Sequence, residues 1–382
     1  MNKKRLPLKK IFIWIGTSAA GAGLILTAGV FYLTNDPVAL WHFFSNYKLV
    51  KANYFRPVSD AALFNGALQG MVSSLGDPYS TLLEGKKYSE LMEQTSGEYG
   101  GIGVVLGQSD THFYVISVFP GSAAEKSDIR PGDEITAIDG NPTASMDLAA
   151  LAEAVRGRAG TSVSLALLRS GEPFTISVTR SNITMPTVQG KMAADGIGYI
   201  HIYSFTRHTP DEFRSEYEKL QQAGMKKMIL DLRMNPGGMV DSVVAVADQI
   251  LTQGTIVSYR MKTGEMEKFD IQGIQQPIPM AVLIDRGSAS AAEILAGAVQ
   301  DKKEGTIFGE TSFGKGTVQT ILQTGQDEAL KLSIAEYLTA AGRQIDKKGI
   351  QPDIAVRQTG QVFDLDHDSV FQRALDFLEG ES

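Results

Sequence analysis

Residues 281–295 read AVLIDRGSASAAEIL, and this stretch decides the fold class. Residues 281–284 form a short apolar run typical of a buried strand, and a helix is predicted over residues 290–302. A strand, a sharp turn and a helix in this order present a nucleophile at the edge of a sheet, where free helix-end amides can stabilise an oxyanion. Ser290 stands at that junction, so we predict it as a nucleophile.

Strands and helices alternate on both sides of this stretch. Such alternation indicates an α/β sheet with helices packed on its faces. Further β segments are predicted as hairpins or edge additions. In chain order the predicted segments are strand 197–205, helix 210–222, strand 226–233, helix 239–251, β segments near 255–271, strand 279–284, helix 290–302, β segments near 317–339 and a last helix over 362–378.

A serine nucleophile needs a general base, and the chain contains five histidines. His201 and His208 are the two that could approach Ser290, but neither stands in a glycine-rich or otherwise constrained loop. A Ser-His-Asp triad with one of them is the alternative to a lysine base.

Lys315 is the stronger candidate base, because it lies between two glycines in the run GETSFGKGTVQ at residues 309–319. Glycines let the backbone bring the lysine close to another group, and removal from water lowers the pKa of an amine until its neutral form can accept a serine proton. Gln319 follows four residues later and shares the face of Lys315 in a strand, so it could orient the amine. An exposed loop lysine is the other interpretation.

The run DLRMNPGG at residues 231–238 joins a predicted strand to a helix. Its two glycines leave backbone amides bare at a helix N-terminus, which suits an oxyanion hole formed together with the amide of Ala291. A phosphate site is the alternative, but no Walker lysine pattern follows.

Residues 99–182 change to short strands around glycine turns, with one helix. The run YGGIGV at residues 99–104 can point successive amides at one anion, such as a free terminal carboxylate. The runs PGSAA, IRPGDEI and IDG follow in an order that resembles a PDZ domain. The predicted segments are strands 101–106, 113–118, 134–138, 163–168 and 174–179 and helix 146–155.

The PDZ resemblance implies peptide capture by strand addition, with the terminal carboxylate bound at Gly101, Ile102, Gly103 and Val104. The pocket for the last side chain would be lined by Ile102, Val104 and the helix face over residues 148–151.

Composition excludes several classes of function. Lysine and arginine number 36 against 43 aspartates and glutamates, and the net charge is -7. No basic stripe occurs beyond the N-terminus, which argues against nucleic acid as a partner. There is no cysteine, so disulfides, thiolate zinc sites and cysteine nucleophiles are excluded.

The N-terminus predicts a membrane anchor. Residues 1–10 are basic, and residues 11–33 are uncharged and long enough to cross a bilayer as one helix with the basic end in the cytoplasm. A signal peptide cleaved near Ala20, Gly21 and Ala22 is the competing interpretation. Either way, the chain after Thr34 is predicted to lie outside the cytoplasmic membrane.

The motifs together, with GSASAAEI at residues 287–294 and GIQPDI at residues 349–354, resemble the carboxyl-terminal processing (tail-specific) serine protease family. By that resemblance Ser290 is the nucleophile, Lys315 the base and Gln319 its orienting partner. Gly237 and Ala291 would donate to the oxyanion. The family often has serine where this chain has Ala292, a departure that leaves the proposed dyad intact.

The resemblance also implies a multidomain α+β fold, a homodimer, no metal or other cofactor, and the C-terminal tails of proteins as substrates. Two other classes compete: a PDZ adaptor that binds tails without cutting them, and a crotonase-like acyl-CoA enzyme. The predicted regions are a cytoplasmic end (1–10), a transmembrane anchor or signal (11–33), a helical region (36–97), a PDZ domain (98–182), a mixed α/β, crotonase/ClpP-like protease core (183–358) and a C-terminal helix (359–382).

Overall fold

The computed structural model describes residues 34–109, 112–119, 121–360 and 362–380. It divides into two compact units, with the boundary between Gly76 and Asp77. The predicted transmembrane segment, residues 11–33, lies outside the described residues. In the part of the chain that is described, no helix is both long enough and apolar enough to cross a bilayer.

The described part of the first unit, residues 34–76, contains the helices α1 (Pro37–Asn53) and α2 (Asp60–Ser73). The Tyr47 hydroxyl of α1 donates to Asp60 Oδ1 at 2.8 Å, and its ring stacks on Phe64 of α2 at 5.1 Å between centroids. These contacts join the two helices into a hairpin; the sequence pattern predicts the helices but not their pairing.

The second unit begins with elements that lead into a separate β domain. That domain is a six-stranded antiparallel sheet with strand order β3-β4-β5-β7-β8, in which β6 also pairs with β5. Strand β3 is the edge strand at one end of this order. The elements are β1 (Thr81–Glu84), α3 (Lys86–Ser96), β2 (Glu98–Gly101), β3 (Val104–Ser109), β4 (His112–Val118), α4 (Ala123–Lys126), β5 (Glu134–Ile138), β6 (Asn141–Pro142), α5 (Leu148–Val155), β7 (Ser162–Arg169), β8 (Glu172–Thr179) and β9 (Ser181–Thr184), with β9 paired to β2.

The remaining chain forms a mixed α/β core around a sheet with strand order β10-β11-β12-β15-β16-β19. Strands β11 to β19 of this order run parallel, and β10 is antiparallel to β11. The elements are β10 (Val188–Ala194), β11 (Ile197–Ile202), α6 (Thr209–Gln222), β12 (Lys227–Asp231), α7 (Val240–Ala247), β13 (Gly254–Met261), β14 (Met266–Ile271), β15 (Met280–Ile284), α8 (Ala291–Lys302), β16 (Thr306–Gly309), β17 (Thr317–Gly325), β18 (Glu328–Thr339), β19 (Ile354–Ala355) and α9 (Ser369–Glu379).

Alternate residues of each strand point to opposite faces of this sheet, and both faces are buried. Leu230 and Val282 belong to the core cluster that contains α6, α7 and α8. Ile229 and Leu283 belong to a second cluster with the apolar face of α9. A parallel sheet covered on both faces explains why strands such as β15 are continuously apolar.

A second sheet has the strand order β1-β18-β13-β14, with β17 on β18, and contributes Val257 and Tyr337 to the core cluster that contains α8. Strands β17 and β18 form the hairpin predicted near residues 317–339. Strand β1 pairs with β18 through Thr81–Glu84, and its sequence was expected to belong to a helical region.

Most predicted elements are confirmed, including strand β5 over residues 134–138. The last helix is wrong at its start, since it begins at Ser369 and not at residue 362. Phe363 has φ +71°, which breaks a helix, and the buried Asp368 caps α9 by accepting from Phe371 N.

Candidate active site

Ser290 lies at the turn between β15 and α8, on the wall of a cleft of about 990 Å³. Its backbone has φ +55°, a left-handed conformation that residues with a side chain adopt at a cost in strain. The residue is 5% exposed, and it is the N-cap of α8. The turn therefore holds a strained serine at a helix N-terminus, as the strand–turn–helix pattern predicts.

Glu293, in the first turn of α8, ties the backbone of the predicted nucleophile to that of the predicted base. It is 1% exposed, and its Oε2 accepts from Ser290 N at 2.8 Å and from Lys315 N at 2.9 Å. Its Oε1 accepts from Ser312 Oγ at 2.6 Å and from Gly314 N at 2.7 Å. Burial raises the pKa of Glu293, and these four hydrogen bonds oppose the rise. One carboxylate thus fixes both backbone segments.

Glu293 is a functional residue that the motifs alone do not assign, although the Ser-x-x-Glu spacing of a capping box is a signal that indicates it. Tyr337 of β18 was also missed. It is buried, its hydroxyl interacts with the Ser290 side chain, and burial raises the pKa of Tyr337 to about 12. Nothing in the local sequence connects Tyr337 with Ser290, because β18 joins the site through strand pairing.

Lys315 lines the same cleft as Ser290. Its glycine neighbours allow the close backbone approach that the sequence predicts. Gly314 has φ +87°, and a Cβ on Gly316 would lie 2.1 Å from the backbone nitrogen of Asp346. Burial lowers the pKa of Lys315, the positive charge of Lys331 lowers it further, and Glu293 opposes both effects. The environment therefore shifts the protonation equilibrium of Lys315 toward the neutral amine, which is the form that a general base requires.

The Lys315 Nζ lies 5.3 Å from the centroid of the Tyr79 ring. Among the described residues it has no hydrogen-bond partner and no carboxylate within ion-pair distance. Gln319 also lines the cleft, but its Nε2 donates to Thr317 O at 2.7 Å and to Thr317 Oγ1 at 2.8 Å. The structure thus brings Ser290, Lys315 and Gln319 to one cleft without hydrogen bonds among their side chains.

The glycine-rich run at residues 231–238 reaches Ser290 directly. A Cβ on Gly237 would lie 2.7 Å from the Ser290 Cβ and 2.9 Å from the Ala291 nitrogen. The Gly237 amide, however, donates to Asn235 Oδ1 at 2.8 Å, so in this conformation it is not the free donor expected. The Gly238 and Ala291 amides have no acceptor within the described residues.

A buried ion-pair network anchors the start of this run, at Asp231 and Arg233. The Arg233 guanidinium, 2% exposed, contacts Asp231, donates from Nη1 to Asp368 Oδ1 at 2.8 Å, and thereby joins the strand β12 end to the cap of α9. Tyr199 Oη donates to Asp231 Oδ2 at 2.9 Å. Asp231 and Arg233 therefore anchor the loop and do not reach the cleft.

The histidine alternative finds no support in the geometry. None of the five histidines, all of which are described, lines the cleft. His201 is buried, stacks against Phe363 and has its pKa lowered by burial. The His208 Nε2 lies 2.9 Å from Glu98 Oε1, away from Ser290. The described geometry therefore brings no histidine to the cleft that Ser290 and Lys315 line.

A second groove, of about 280 Å³, lies between the edge strand β3 and helix α5. Gly101, Ile102, Gly103 and Val104 line it, as the PDZ resemblance implies. Its helix side differs from the expected face over residues 148–151, because of these only Leu148 lines the groove, together with Ala152 and Val155, while Leu151 is fully buried in the domain core.

Comparisons with known proteins agree with this organisation. The family model described as peptidase family S41 matches residues 196–356, and a PDZ domain model matches residues 114–169. A model described as the N-terminal domain of the activating protease CtpB matches residues 35–86. The protease model includes Ser290, Lys315 and the run at 231–238.

Full-length relatives extend the likeness over most of the chain. The carboxy-terminal processing protease CtpA of Bacillus subtilis (strain 168) is 35% identical over 311 residues, which cover 81% of this chain and 67% of the relative. The carboxy-terminal-processing protease of Bartonella bacilliformis is 34% identical over 363 residues, covering 92% and 83%. The solved photosystem II D1 C-terminal processing protease aligns at a TM-score of 0.50 with 29% identity, covering 81% of this chain and 86% of that one. The chain therefore belongs to the carboxy-terminal processing proteases of peptidase family S41, and it is a serine-type peptidase with a PDZ domain.

Proposed function

We propose that this peptidase is an extracytoplasmic endopeptidase that cleaves protein substrates near their C-termini, with Ser290 as nucleophile and Lys315 as general base. The observation that carries the proposal is the shared cleft, in which a strained serine and a lysine with a lowered pKa lie together and no histidine does.

The proposed chemistry is acyl transfer. The neutral Lys315 amine takes the proton of Ser290 Oγ as the oxygen attacks the scissile carbonyl carbon. The developing oxyanion accepts from the Ala291 amide and from an amide of the glycine pair. The Lys315 ammonium then gives its proton to the leaving amine, and an acyl-enzyme on Ser290 remains. Lys315 next removes a proton from the water that attacks this ester, and it returns the proton to Ser290 Oγ as the acyl–oxygen bond breaks and the carboxylic acid product leaves.

Two glycine amides compete for the oxyanion role. The Gly237 amide can serve only after its bond to Asn235 Oδ1 is broken or shared, whereas the Gly238 amide is free in the described structure. Gln319 would orient Lys315 after its amide leaves Thr317. Both changes need only local rearrangement.

We further propose that the groove beside β3 captures the substrate's free C-terminal carboxylate. An edge strand next to a helix can accept an extended peptide as one more strand, and the amides of residues 101–104 stand at its end. Tyr99, Arg156 and Met185 line both this groove and the Ser290 cleft, so the two sites adjoin.

The test is mass spectrometry of an unstructured reporter with an apolar C-terminus, incubated with the full-length chain. Wild type is expected to cut the free-ended reporter, and an amidated reporter is expected to be cut more slowly. Ser290→Ala and Lys315→Ala are expected to be inactive, while Lys262→Ala, which removes an exposed lysine from a distant turn, serves as the matched charge control.

Full cleavage by Ser290→Ala or Lys315→Ala would refute the dyad. Loss of cleavage in His208→Gln, with unchanged thermal unfolding, would return the base to a histidine. Equal cutting of free and amidated reporters would leave a serine protease that does not capture carboxylates. A wild type that binds the free-ended reporter and never cuts it would favour the adaptor class.

The membrane location rests on residues 1–33 and is tested separately. Because the chain has no cysteine, a single Ser89→Cys or Asn2→Cys variant provides a unique label position. A membrane-impermeant maleimide applied to whole cells is expected to label the first variant and not the second. The mass of the purified chain distinguishes an intact anchor from a cleaved signal peptide.

A further inference from the structure

Strand β18 presents a second lysine to the cleft that holds Lys315. Lys331 lies in the middle of this strand, paired to Thr81 of β1 on one side and to Ile321 of β17 on the other. Lys331, Ile321 and Gln319 all line the cleft. Because both neighbouring strands hold its backbone, Lys331 has a fixed origin from which its side chain reaches the cleft.

The charge of Lys331 is not neutralised by an ion pair. Within the described residues no carboxylate lies within ion-pair distance of its Nζ, and the side chain makes no hydrogen bond. By contrast, Arg260 on the neighbouring strand β13 contacts Glu336 of β18. Lys331 is therefore an unpaired, half-buried cation in the same cleft as the proposed base Lys315.

We propose that Lys331 is a positioning residue that acts through Lys315: from the wall of the same cleft, its positive charge disfavours protonation of the Lys315 amine and so increases the fraction that can accept the proton of Ser290. This inference rests on the proposed Ser290–Lys315 mechanism. A second cation in the same low-dielectric site disfavours protonation of the first, since two like charges repel more strongly away from water.

Other charged groups around Lys315 explain why a second cation is needed. Glu293 approaches from α8 and favours the ammonium form, whereas burial and Lys331 oppose it. The Tyr79 ring lies near the Nζ, and the backbone of Asp346 packs against Gly316. The remaining titratable groups that line the cleft are Glu90, Glu93, Tyr99, Arg156, Asp241 and Tyr337, and Lys347 and Lys348 approach Gly314 through their backbones.

The carboxylates among these groups favour a protonated lysine, and Glu293 is also needed to hold the backbones of Ser290 and Lys315. The site therefore combines a necessary buried carboxylate with a base that must be neutral. Lys331 reconciles the two requirements, because it offsets the field of the carboxylate without occupying its hydrogen bonds.

The experiment compares kcat/KM as a function of pH for wild type, Lys331→Gln and Lys331→Arg, with the free-ended reporter and the full-length chain. Activity rises with pH as Lys315 loses its proton. Removing the charge at Lys331 is expected to move this rise to higher pH by about 0.5–1 unit. One unit below the wild-type midpoint, kcat/KM should fall about three- to tenfold, while the plateau at high pH changes less than about twofold.

Lys331→Arg keeps the charge and is expected to keep the wild-type midpoint. Lys262→Gln removes the same formal charge from an exposed turn and controls for net charge. High salt screens charge pairs, so it should narrow the gap between wild type and Lys331→Gln. Thermal unfolding of each variant checks that the fold is retained.

A second measurement does not need activity. In the Ser290→Ala background, the rate at which an amine-reactive reagent modifies Lys315 near neutral pH, followed by peptide mapping, reports its neutral fraction. Lys331→Gln is expected to slow this modification. An unmoved pH midpoint, an equal loss of kcat/KM at every pH, or an unchanged modification rate would overturn the inference while leaving the dyad in place. Full activity of Lys315→Ala would instead overturn the dyad itself.

Discussion

Replacing Glu293 by glutamine tests the frame around Ser290 most directly. Glutamine keeps the shape of the side chain but has one acceptor oxygen where the carboxylate has two. In one orientation the amide NH₂ group faces Ser290 N and Lys315 N, and both lose their acceptor. In the other orientation Gly314 N loses its acceptor, and Ser312 Oγ loses its bond to the carboxylate and can only accept from the NH₂ group.

The magnitude follows from these four bonds. A hydrogen bond to a charged group contributes about 1.5–3 kcal/mol, so two lost bonds correspond to about 3–6 kcal/mol. Burial raises the pKa of Glu293, which means that the fold bears a cost for holding its charge, and a neutral glutamine recovers part of that cost. We therefore expect a loss of about 2–4 kcal/mol in the free energy of unfolding.

The assay pairs thermal unfolding with kcat/KM on the free-ended reporter. A melting temperature lower by roughly 2–5 °C is expected for a chain of this length, together with a fall of about 100-fold in kcat/KM, because a shift of about 1 Å in a catalytic backbone has effects of this size. Glu218→Gln, on the exposed face of α6, is the matched control and should change neither quantity. A melting temperature within about 1 °C of wild type is not distinguishable from it. If Glu293→Gln meets that limit and keeps its kcat/KM, the carboxylate does not hold the site.

Four other predictions have defined outcomes. Burial lowers the pKa of Lys315, so kcat/KM should rise with pH around a midpoint below the ordinary lysine value of 10.5; a midpoint at or above that value contradicts a lysine base. Gly237→Ala places a Cβ 2.7 Å from that of Ser290 and should lower kcat/KM about 100-fold, whereas Gly224→Ala, with nearly the same φ of +97° but open space, should keep it. Asp368→Asn breaks the buried pair with Arg233 and should cost about 3–5 kcal/mol in a denaturant titration, while Asp211→Asn, which breaks the exposed pair with Arg214, should cost less than about 1 kcal/mol. Sedimentation of the full-length chain should give a homodimer, since Trp41, Phe43 and Phe44 of α1 are exposed; a monomer at micromolar concentration refutes this prediction.

Local sequence patterns were sufficient where the physical cause is local. The strand β15, the turn and helix α8 follow from residues 281–302 alone, and the glycines beside Lys315 already indicate a close backbone approach. The antiparallel β domain is likewise predicted from the spacing of its turns. These parts of the fold and site depend on propensity, periodicity and glycine conformation, which a single sequence displays.

Non-local pairing accounts for what was missed. Strand β1 exists because it pairs with β18, roughly 250 residues later in the chain by the register of Thr81 with Lys331. Helix α9 starts late because Asp368 turns toward Arg233 and caps the helix there. Tyr337 and Lys331 reach the cleft through the same β18, and no nearby residue of the sequence signals either contact.

The orientation of individual amides and side chains explains why the hydrogen bonds observed at the site differ from those that the sequence predicts. The sequence predicts that Gly237 lies beside Ser290, and the structure agrees, but the bond from its amide to Asn235 depends on a side-chain rotation that no pattern encodes. The same holds for Gln319, whose amide donates to Thr317. Glu293 meanwhile already holds the backbones of Ser290 and Lys315 on one oxygen. Since the backbone frame is complete and only side-chain hydrogen bonds are missing, we expect that forming the working site requires rotation of Lys315 and Gln319 and no rebuilding of the loops that carry them.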